Sequence, residues 1–135
     1  MFAQIKTSKA NKLIVTDLSR RFNLGSENVI ARIAFAYSLS TGRKLDLADI
    51  ADSQGKEYSK SVLFGNNYPF YIALLCTHYG LYKTDKDIPK YIKMHLDDGL
   101  QLMNYELHDN PNLNGMDYLI DKIESGLKSI RDIDE

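Results

Sequence analysis

Apolar residues recur at helical spacing along most of this chain, and the segments in which they do so predict its main elements. In the first segment Ala10, Ile14, Leu18 and Phe22 follow each other at intervals of four residues, which predicts an amphipathic helix. Ser8 is well suited to cap the beginning of this helix. Its polar positions carry basic residues, which are Lys9, Lys12, Arg20 and Arg21. The first helix is therefore expected to turn a basic face to solvent.

A second helix follows the turn at residues 23–26, where Gly25 is the predicted left-handed stop. Its body, residues 29–39, is apolar all round, which is typical of a helix in a core or in an interface. We expect this helix to form contacts between copies of the chain. Arg32 is its one charged residue, and a buried guanidinium needs a carboxylate or carbonyl groups as partners. We predict that Arg32 forms a structural ion pair with Glu57.

The rest of the chain is also mostly helical in its pattern. Three further helices are predicted, over residues 70–79, 88–107 and 116–130. Residues 2–7 alternate weakly between apolar and polar, as a brief strand or an extended arm does. The sequence therefore predicts an all-α fold, a small helical domain with at most a short N-terminal strand.

Composition narrows the class of protein. A chain of 135 residues with 44% apolar residues can form a single globular domain. No segment approaches the ~18–20 consecutive apolar residues that span a membrane, and the first residues do not form a signal peptide. The single cysteine, Cys76, cannot form an internal disulfide bond. We therefore expect a cytoplasmic protein with no membrane partner.

The net charge of −1 conceals a strong asymmetry along the chain. Residues 1–44 carry eight Lys and Arg against two Asp and Glu, a net +6, and residues 45–96 carry six of each. Residues 97–135 carry three against ten, a net −7. The two ends could compensate each other within the fold, or the basic end could face DNA while the acidic end avoids it or meets a basic partner.

The residue types needed for catalysis do not form a recognisable constellation. The three histidines lack metal-ligand spacing, and one cysteine cannot complete a zinc site. Asp97 and Asp98 lie beside His95, but adjacent carboxylates on a helix point about 100° apart and do not converge. Cys76 lies in an apolar run, as an inert buried thiol does. We expect a protein that is not an enzyme and that holds no metal and no cofactor.

Several ordered blocks resemble a known family, the DndE proteins of bacterial DNA phosphorothioation, also called DNA sulfur modification. The blocks are residues 5–9, 28–39, 55–58, 63–75 and 95–100. The resemblance covers residues 5 to about 103. It divides the chain into a DndE-like helical DNA-binding domain at residues 1–103 and an acidic helical extension at residues 104–135, which we expect to pack on that domain.

The resemblance implies properties that the residues alone do not show. Such proteins are small, mostly helical and related to ribbon–helix–helix proteins, and they form homo-oligomers, usually tetramers. They bind double-stranded DNA, with a preference for nicked DNA, through surface lysines. They have no established catalytic centre, and they work beside a sulfur-transfer enzyme and an ATPase in a modification system of the restriction–modification type.

These expectations favour binding to the DNA phosphate backbone, which tolerates any base sequence. The predicted DNA-binding residues are Lys6, Lys9, Lys12, Arg43, Lys44, Lys56 and Lys60. In a ribbon–helix–helix arrangement residues 26–28 would meet a phosphate at the start of the second helix, although Glu27 would repel it there. Two alternatives remain, a scaffold that docks the ATPase and the sulfur-transfer enzyme, and a ribbon–helix–helix transcription repressor.

Overall fold

The structure is a computed structural model and describes residues 4–134. Within these residues the helices and strands are β1 (Gln4–Lys6), α1 (Lys9–Phe22), α2 (Glu27–Ser40), β2 (Glu57–Ser59), α3 (Lys60–Phe64), α4 (Tyr68–Tyr79), α5 (Ile88–His108) and α6 (Gly115–Asp134). Single 3₁₀ turns lie at Leu47–Asp49 and Gly65–Asn67. The prediction of a small, mostly helical domain is confirmed.

The centre of the fold is the packing of α2 against α5, the longest helix. Ala34 and Phe35 of α2 are fully buried, and so are Leu96 and Leu100 of α5. Helices α1, α3 and α4 also pack against α2, so its apolar surface is largely covered by its own chain. The all-round apolar pattern of α2 therefore follows from its central position within the subunit.

The two strands form a short antiparallel ribbon, in which Ile5 lies opposite Tyr58 and Lys6 lies opposite Glu57. Ile5 and Tyr58 point into the core, while their neighbours in each strand point outward. The N-terminal strand is confirmed for residues 4–6, and Phe2 and Ala3 lie outside the described residues. Neither β2 nor α3 can be predicted from the sequence pattern, because a three-residue strand and a five-residue helix are too short to show a period.

The ends of α1 show how local chemistry sets its length. The Ser8 side chain accepts a hydrogen bond from the main-chain N–H of Asn11 at 3.3 Å, so the predicted N-cap is confirmed. At the other end Asn23, and not Gly25, caps the helix in the left-handed conformation, with a φ angle of 53°. Asparagine tolerates this conformation better than most residues do. The chain then begins α2 four residues later.

The segment between α5 and α6 contacts the C-terminal end of α1. The Arg21 guanidinium donates hydrogen bonds to the carbonyl oxygens of Leu107, Asn110 and Leu113, at 3.0, 2.6 and 2.9 Å. Leu107 belongs to the last turn of α5, whereas Asn110 and Leu113 lie in the linker, so one guanidinium bonds to both segments. Arg21 therefore holds the linker in place, and α6 starts from a defined point.

The first turns of α6 contact the body of the domain through an aromatic and charged cluster. Tyr118 is buried and packs edge-on against Phe22, with 5.7 Å between the ring centroids. The Glu106 carboxylate of α5 accepts hydrogen bonds from the hydroxyls of Tyr37 and Tyr118 and forms an ion pair with Lys122 at 2.9 Å. One carboxylate thus joins α2, α5 and α6.

Candidate nucleic-acid interface

The ribbon and the first turn of α1 bring four of the predicted DNA-binding lysines together. Lys6 lies on the outward face of β1, and Lys56 directly precedes β2. The main-chain N–H of Thr7 donates to the carbonyl oxygen of Lys56 at 2.8 Å, so the chain around the two lysines is tied together. Lys9 and Lys12 follow within the first turn of α1, and both are exposed.

A buried network fixes the position of that first turn. The Asp97 carboxylate of α5 accepts hydrogen bonds from the main-chain N–H of Ser8 at 3.0 Å and from the Asn11 amide at 2.7 Å. Its second oxygen pairs with Lys93 at 2.7 Å, and both side chains are about nine-tenths buried. Because these partners satisfy the carboxylate, the start of α1 is anchored from below while its lysines point to solvent.

The neighbouring loop adds one more bond to the start of α1. The main-chain N–H of Lys9 donates to the Asp52 carboxylate at 2.8 Å, and this bond lowers the pKa of the Asp52 carboxyl. The ammonium of Lys93 also donates to the carbonyl oxygen of Asp52 at 2.7 Å. The loop that carries Asp52 is thereby held against the base of α1.

Lys56 and Lys60 each have a partner within the chain. Lys56 pairs with Glu27 at 3.5 Å, and Glu27 also accepts a hydrogen bond from the Thr16 hydroxyl at 2.9 Å. The Lys60 ammonium lies 4.0 Å from the ring centroid of Tyr68, a cation–π contact. Both side chains are partly exposed, so these contacts orient them without enclosing them. We call Lys6, Lys9, Lys12, Lys56 and Lys60 the ribbon group.

Arg43 and Lys44 are not part of the ribbon group and lie in the loop that follows α2. Arg43 pairs with Asp98 of α5 at 2.5 Å, and its carbonyl oxygen lies 2.6 Å from the His78 ring. The loop from these residues back to β2 is acidic, because it carries Asp46, Asp49 and Asp52 on exposed positions. The seven predicted residues therefore form two groups, with an acidic segment of chain between them.

The predicted ion pair between Arg32 and Glu57 is wrong. Arg32 instead donates from Nε to the carbonyl oxygen of Leu63 at 2.7 Å and from Nη2 to that of Val62 at 3.3 Å. Glu57 is exposed on the ribbon, opposite Lys6. Carbonyl oxygens at the end of α3 have no hydrogen-bond donor within that helix, and the half-buried guanidinium of Arg32 supplies the donors.

The start of α2 also differs from a phosphate-binding helix end. The Ser26 hydroxyl bonds to the side chain of Asn28 and makes no cap bond to the helix. The Glu27 carboxylate lies in the first turn of α2 and pairs with Lys56 there. A carboxylate of the chain itself therefore already interacts with the positive end of the helix dipole, where a phosphate would otherwise bind.

A second buried polar network, which the sequence did not reveal, joins the loop after α2 to α4 and α5. The main-chain N–H of Leu45 donates to the Tyr79 hydroxyl at 2.8 Å, which lies 2.6 Å from Nε2 of His95. Nδ1 of His95 lies 2.8 Å from the Ser38 hydroxyl, which donates to Asp98 at 2.6 Å. Loss of hydration on burial lowers the pKa of His95 to about 4.

The direction of the hydrogen bonds in this network can be assigned. An ionised carboxylate only accepts, so the Ser38 proton points to Asp98, and His95 must donate from Nδ1 to Ser38. A serine activated as a nucleophile would give its proton to histidine, which is the opposite direction. Ser38 and His95 are also fully buried. The network is therefore structural.

Other candidate chemistry is equally limited in the part of the chain that the structure describes. Burial raises the pKa of the Cys76 thiol, which makes it less reactive. Among residues 4–130 no three histidine, cysteine or acidic side chains are grouped so that they could hold a metal ion. None of the described helices combines the length and the apolar character that a membrane crossing needs.

This geometry defines a small helical protein with a two-stranded ribbon and a basic surface at the start of its first helix. The profile of the DndE family, whose description is DNA sulphur modification protein DndE, matches residues 4–110. The chain therefore belongs to the DndE family, and the resemblance found in the sequence is confirmed. Residues 111–135 lie outside the family match.

A solved structure has the same fold. The crystal structure of DndE from Escherichia coli B7A, a protein involved in DNA phosphorothioation modification, matches with a TM-score of 0.61 and 17% sequence identity. The match covers 76% of this chain and 98% of that chain. No curated protein matches this chain.

Proposed function

We propose that this protein is the non-catalytic DNA-binding component of a DNA phosphorothioate modification system. It contacts the phosphate backbone of double-stranded DNA through the ribbon group. Membership of the DndE family supports the assignment to DNA sulfur modification, and the E. coli protein of the same fold is involved in DNA phosphorothioation. Arg43 and Lys44 add a second, separate contact.

The observation that carries this proposal is the clustering of the ribbon group. Five lysines come from β1, the start of α1, and the two ends of β2, and the hydrogen bonds of Asp97 to Ser8 and Asn11 hold the start of α1 in place. Lysine ammonium groups on the surface can pair with phosphate oxygens, and this pairing releases the counterions that are condensed on the DNA. Glu57 and Glu27 lie among them, which favours contact with the backbone at a few points over a deep fit into a groove.

In this proposal the protein binds nicked DNA more tightly than intact DNA. A nick makes the duplex easier to bend, so a protein surface that needs bent DNA loses less free energy in deforming it. The proposal also includes a homo-oligomer, a tetramer by the resemblance to the family, that works with a sulfur-transfer enzyme and an ATPase in the cytoplasm. The acidic C-terminal extension then belongs to the same domain, through the contacts of Tyr118 and Lys122.

A binding assay over a range of salt concentrations tests the proposal. It compares the affinity of the purified protein for intact and for nicked duplexes of equal length. Lys9 and Lys12 are replaced together by Gln, and a control replaces Lys90 and Lys128, which are exposed at other places on the molecule. The two variants have the same net charge. We expect the Lys9 and Lys12 variant to bind more weakly than the control. The negative slope of log K against log salt concentration should become shallower by about 2, since each lost phosphate contact reduces its magnitude by about 0.9.

The same assay distinguishes the alternatives. Negligible binding of the parent at low salt, with retention of a partner ATPase or sulfur-transfer enzyme, would support the scaffold instead. Protection of one palindromic site would support a repressor. The ribbon argues against the repressor, because β1 pairs with β2 of its own chain, whereas the paired strands of a ribbon–helix–helix dimer come from two copies. Equal binding by the Lys9 and Lys12 variant and its control would remove the ribbon group from the site.

A further inference from the structure

Helix α6 carries an apolar stripe that the body of the domain does not cover. Its members are Met116, Ile120, Ile123, Leu127 and Ile130, and each is between 46% and 62% exposed. Every residue from Ile123 to Ile130 is exposed, so this half of the helix extends away from the fold. The family match ends at residue 110, so the stripe is a feature of this chain outside the shared domain.

The spacing of the stripe follows a heptad repeat. The five residues succeed each other at intervals of four, three, four and three, which places Ile120 and Leu127 at a positions and Met116, Ile123 and Ile130 at d positions. Such a seam buries its side chains when a second helix with the same repeat packs against it, with each side chain inserted between four others. A helix of 20 residues is about 30 Å long, which is enough for several such layers.

The first turns of α6 present this seam in a fixed direction. Tyr118 packs on Phe22 and bonds to Glu106, and Lys122 pairs with the same carboxylate. These residues lie on the side of the helix that faces the body, and the seam lies on the side that faces solvent. A helix that is held in this way loses little conformational freedom when it binds, so less of the binding free energy is spent on ordering.

We infer that the seam of α6 binds the same seam on a second copy of this chain. The five side chains expose on the order of 500 Å² of apolar surface in each copy, as large as the patches that mark interaction sites. Two copies would bury about 1,000 Å² from these side chains alone, which is the size at which specific interfaces begin.

Charge also favours a second copy as the occupant. From residue 115 to residue 130 the helix carries Asp117, Asp121 and Glu124 against Lys122 and Lys128, a net −1. Two such helices repel each other little, whereas an anionic membrane surface would gain no attraction from this side of the molecule.

Sedimentation equilibrium of the full chain tests this inference. Ile123 and Ile130 are replaced together by Gln, and a control variant carries Ser125→Gln and Ser129→Gln on the polar side of the same exposed half. We expect the parent and the control to associate, and the seam variant to dissociate at least tenfold more readily. At a concentration low enough for the parent to be monomeric, both variants should keep the parent's melting curve, because all the replaced residues are exposed.

Each other outcome overturns the inference. A parent that stays monomeric up to millimolar concentration has no self-associating seam, even if α6 binds another protein. A seam variant with the parent's average mass at every concentration shows that association uses another surface. A control variant that dissociates as readily as the seam variant shows that the effect does not come from the apolar stripe.

Discussion

A methyl group on Gly99 of α5 would lie 1.8 Å from the carbonyl oxygen of Ala34 on α2. No side chain fits into that space, so the two central helices meet backbone to backbone at this point. The neighbouring core residues Phe35 and Leu100 are fully buried beside it. A glycine that weakens an isolated helix is therefore what allows α2 and α5 to approach each other this closely.

Gly99→Ala is expected to destabilise the domain by about 3 kcal/mol, because the clash is with backbone that cannot rotate away. Gly126→Ala provides the matched control. Gly126 also lies inside a helix, but a methyl group there meets nothing within 4 Å. Alanine at that position should leave stability unchanged or raise it by ~0.5–1 kcal/mol, since it favours the helix. Urea unfolding of both variants measures the difference, and equal stabilities would contradict the packing described for α2 and α5.

Folding stability should fall as the pH drops below about 6.5. His95 has an ordinary pKa of 6.5 when the chain is unfolded, and burial lowers its pKa to about 4 in the folded protein. Between these values the unfolded chain binds a proton on His95 and the folded chain does not, so acid favours unfolding. The contribution is complete above pH 6.5 and is lost toward pH 4. At pH 5 the loss should amount to about 2 kcal/mol.

Urea unfolding at pH 7 and pH 5 measures this loss. His95→Asn should be less stable than the parent at pH 7, yet its stability should change less between the two pH values. His108→Asn, at an exposed position, leaves the His95 network intact and serves as the control. An NMR titration of the His95 ring with a midpoint near 6.5 in the folded protein would show that burial does not lower its pKa.

The helical part of the fold could be predicted because long amphipathic segments repeat their pattern several times. The sequence pattern does not predict β2 or α3, because both are too short to repeat a pattern. They form because tertiary contacts place them beside β1 and α2. Gly99 illustrates the same limit. The sequence marks it as a weak point in a helix, and only the position of Ala34 shows why glycine is needed there.

The candidate site could be predicted only in part, for a similar reason. Exposed lysines are visible in a sequence, but the groups that neutralise or orient them are distant along the chain. Glu27 reaches Lys56, and Asp98 reaches Arg43, across separations of 29 and 55 residues. The sequence suggests a carboxylate as the partner of Arg32, because it does not show that the carbonyl oxygens at the end of α3 lie beside the guanidinium.

Arg32→Ala is expected to cost about 1–2 kcal/mol, because it leaves the carbonyl oxygens of Val62 and Leu63 without their donor. Glu57→Gln should change stability by less than ~0.5 kcal/mol, as surface substitutions usually do. Urea unfolding of the two single variants and the double variant measures any coupling. A coupling above about 1 kcal/mol between Arg32 and Glu57 would restore the ion pair that the sequence suggested.

Lys93→Met should be the variant that links the fold to DNA binding. Removal of the ammonium leaves the Asp97 carboxylate buried without its cationic partner, which is expected to cost about 3–5 kcal/mol. The same carboxylate holds Ser8 and Asn11, so the start of α1 should loosen and the ribbon group should lose its fixed arrangement.

Lys90→Met removes one positive charge from an exposed position one turn away and serves as the control. Urea unfolding should separate the two variants. At a temperature where both remain folded, Lys93→Met should bind duplex DNA more weakly than Lys90→Met, although Lys93 itself is too buried to reach a phosphate. Equal affinities would mean that the anchoring of α1 does not matter for binding.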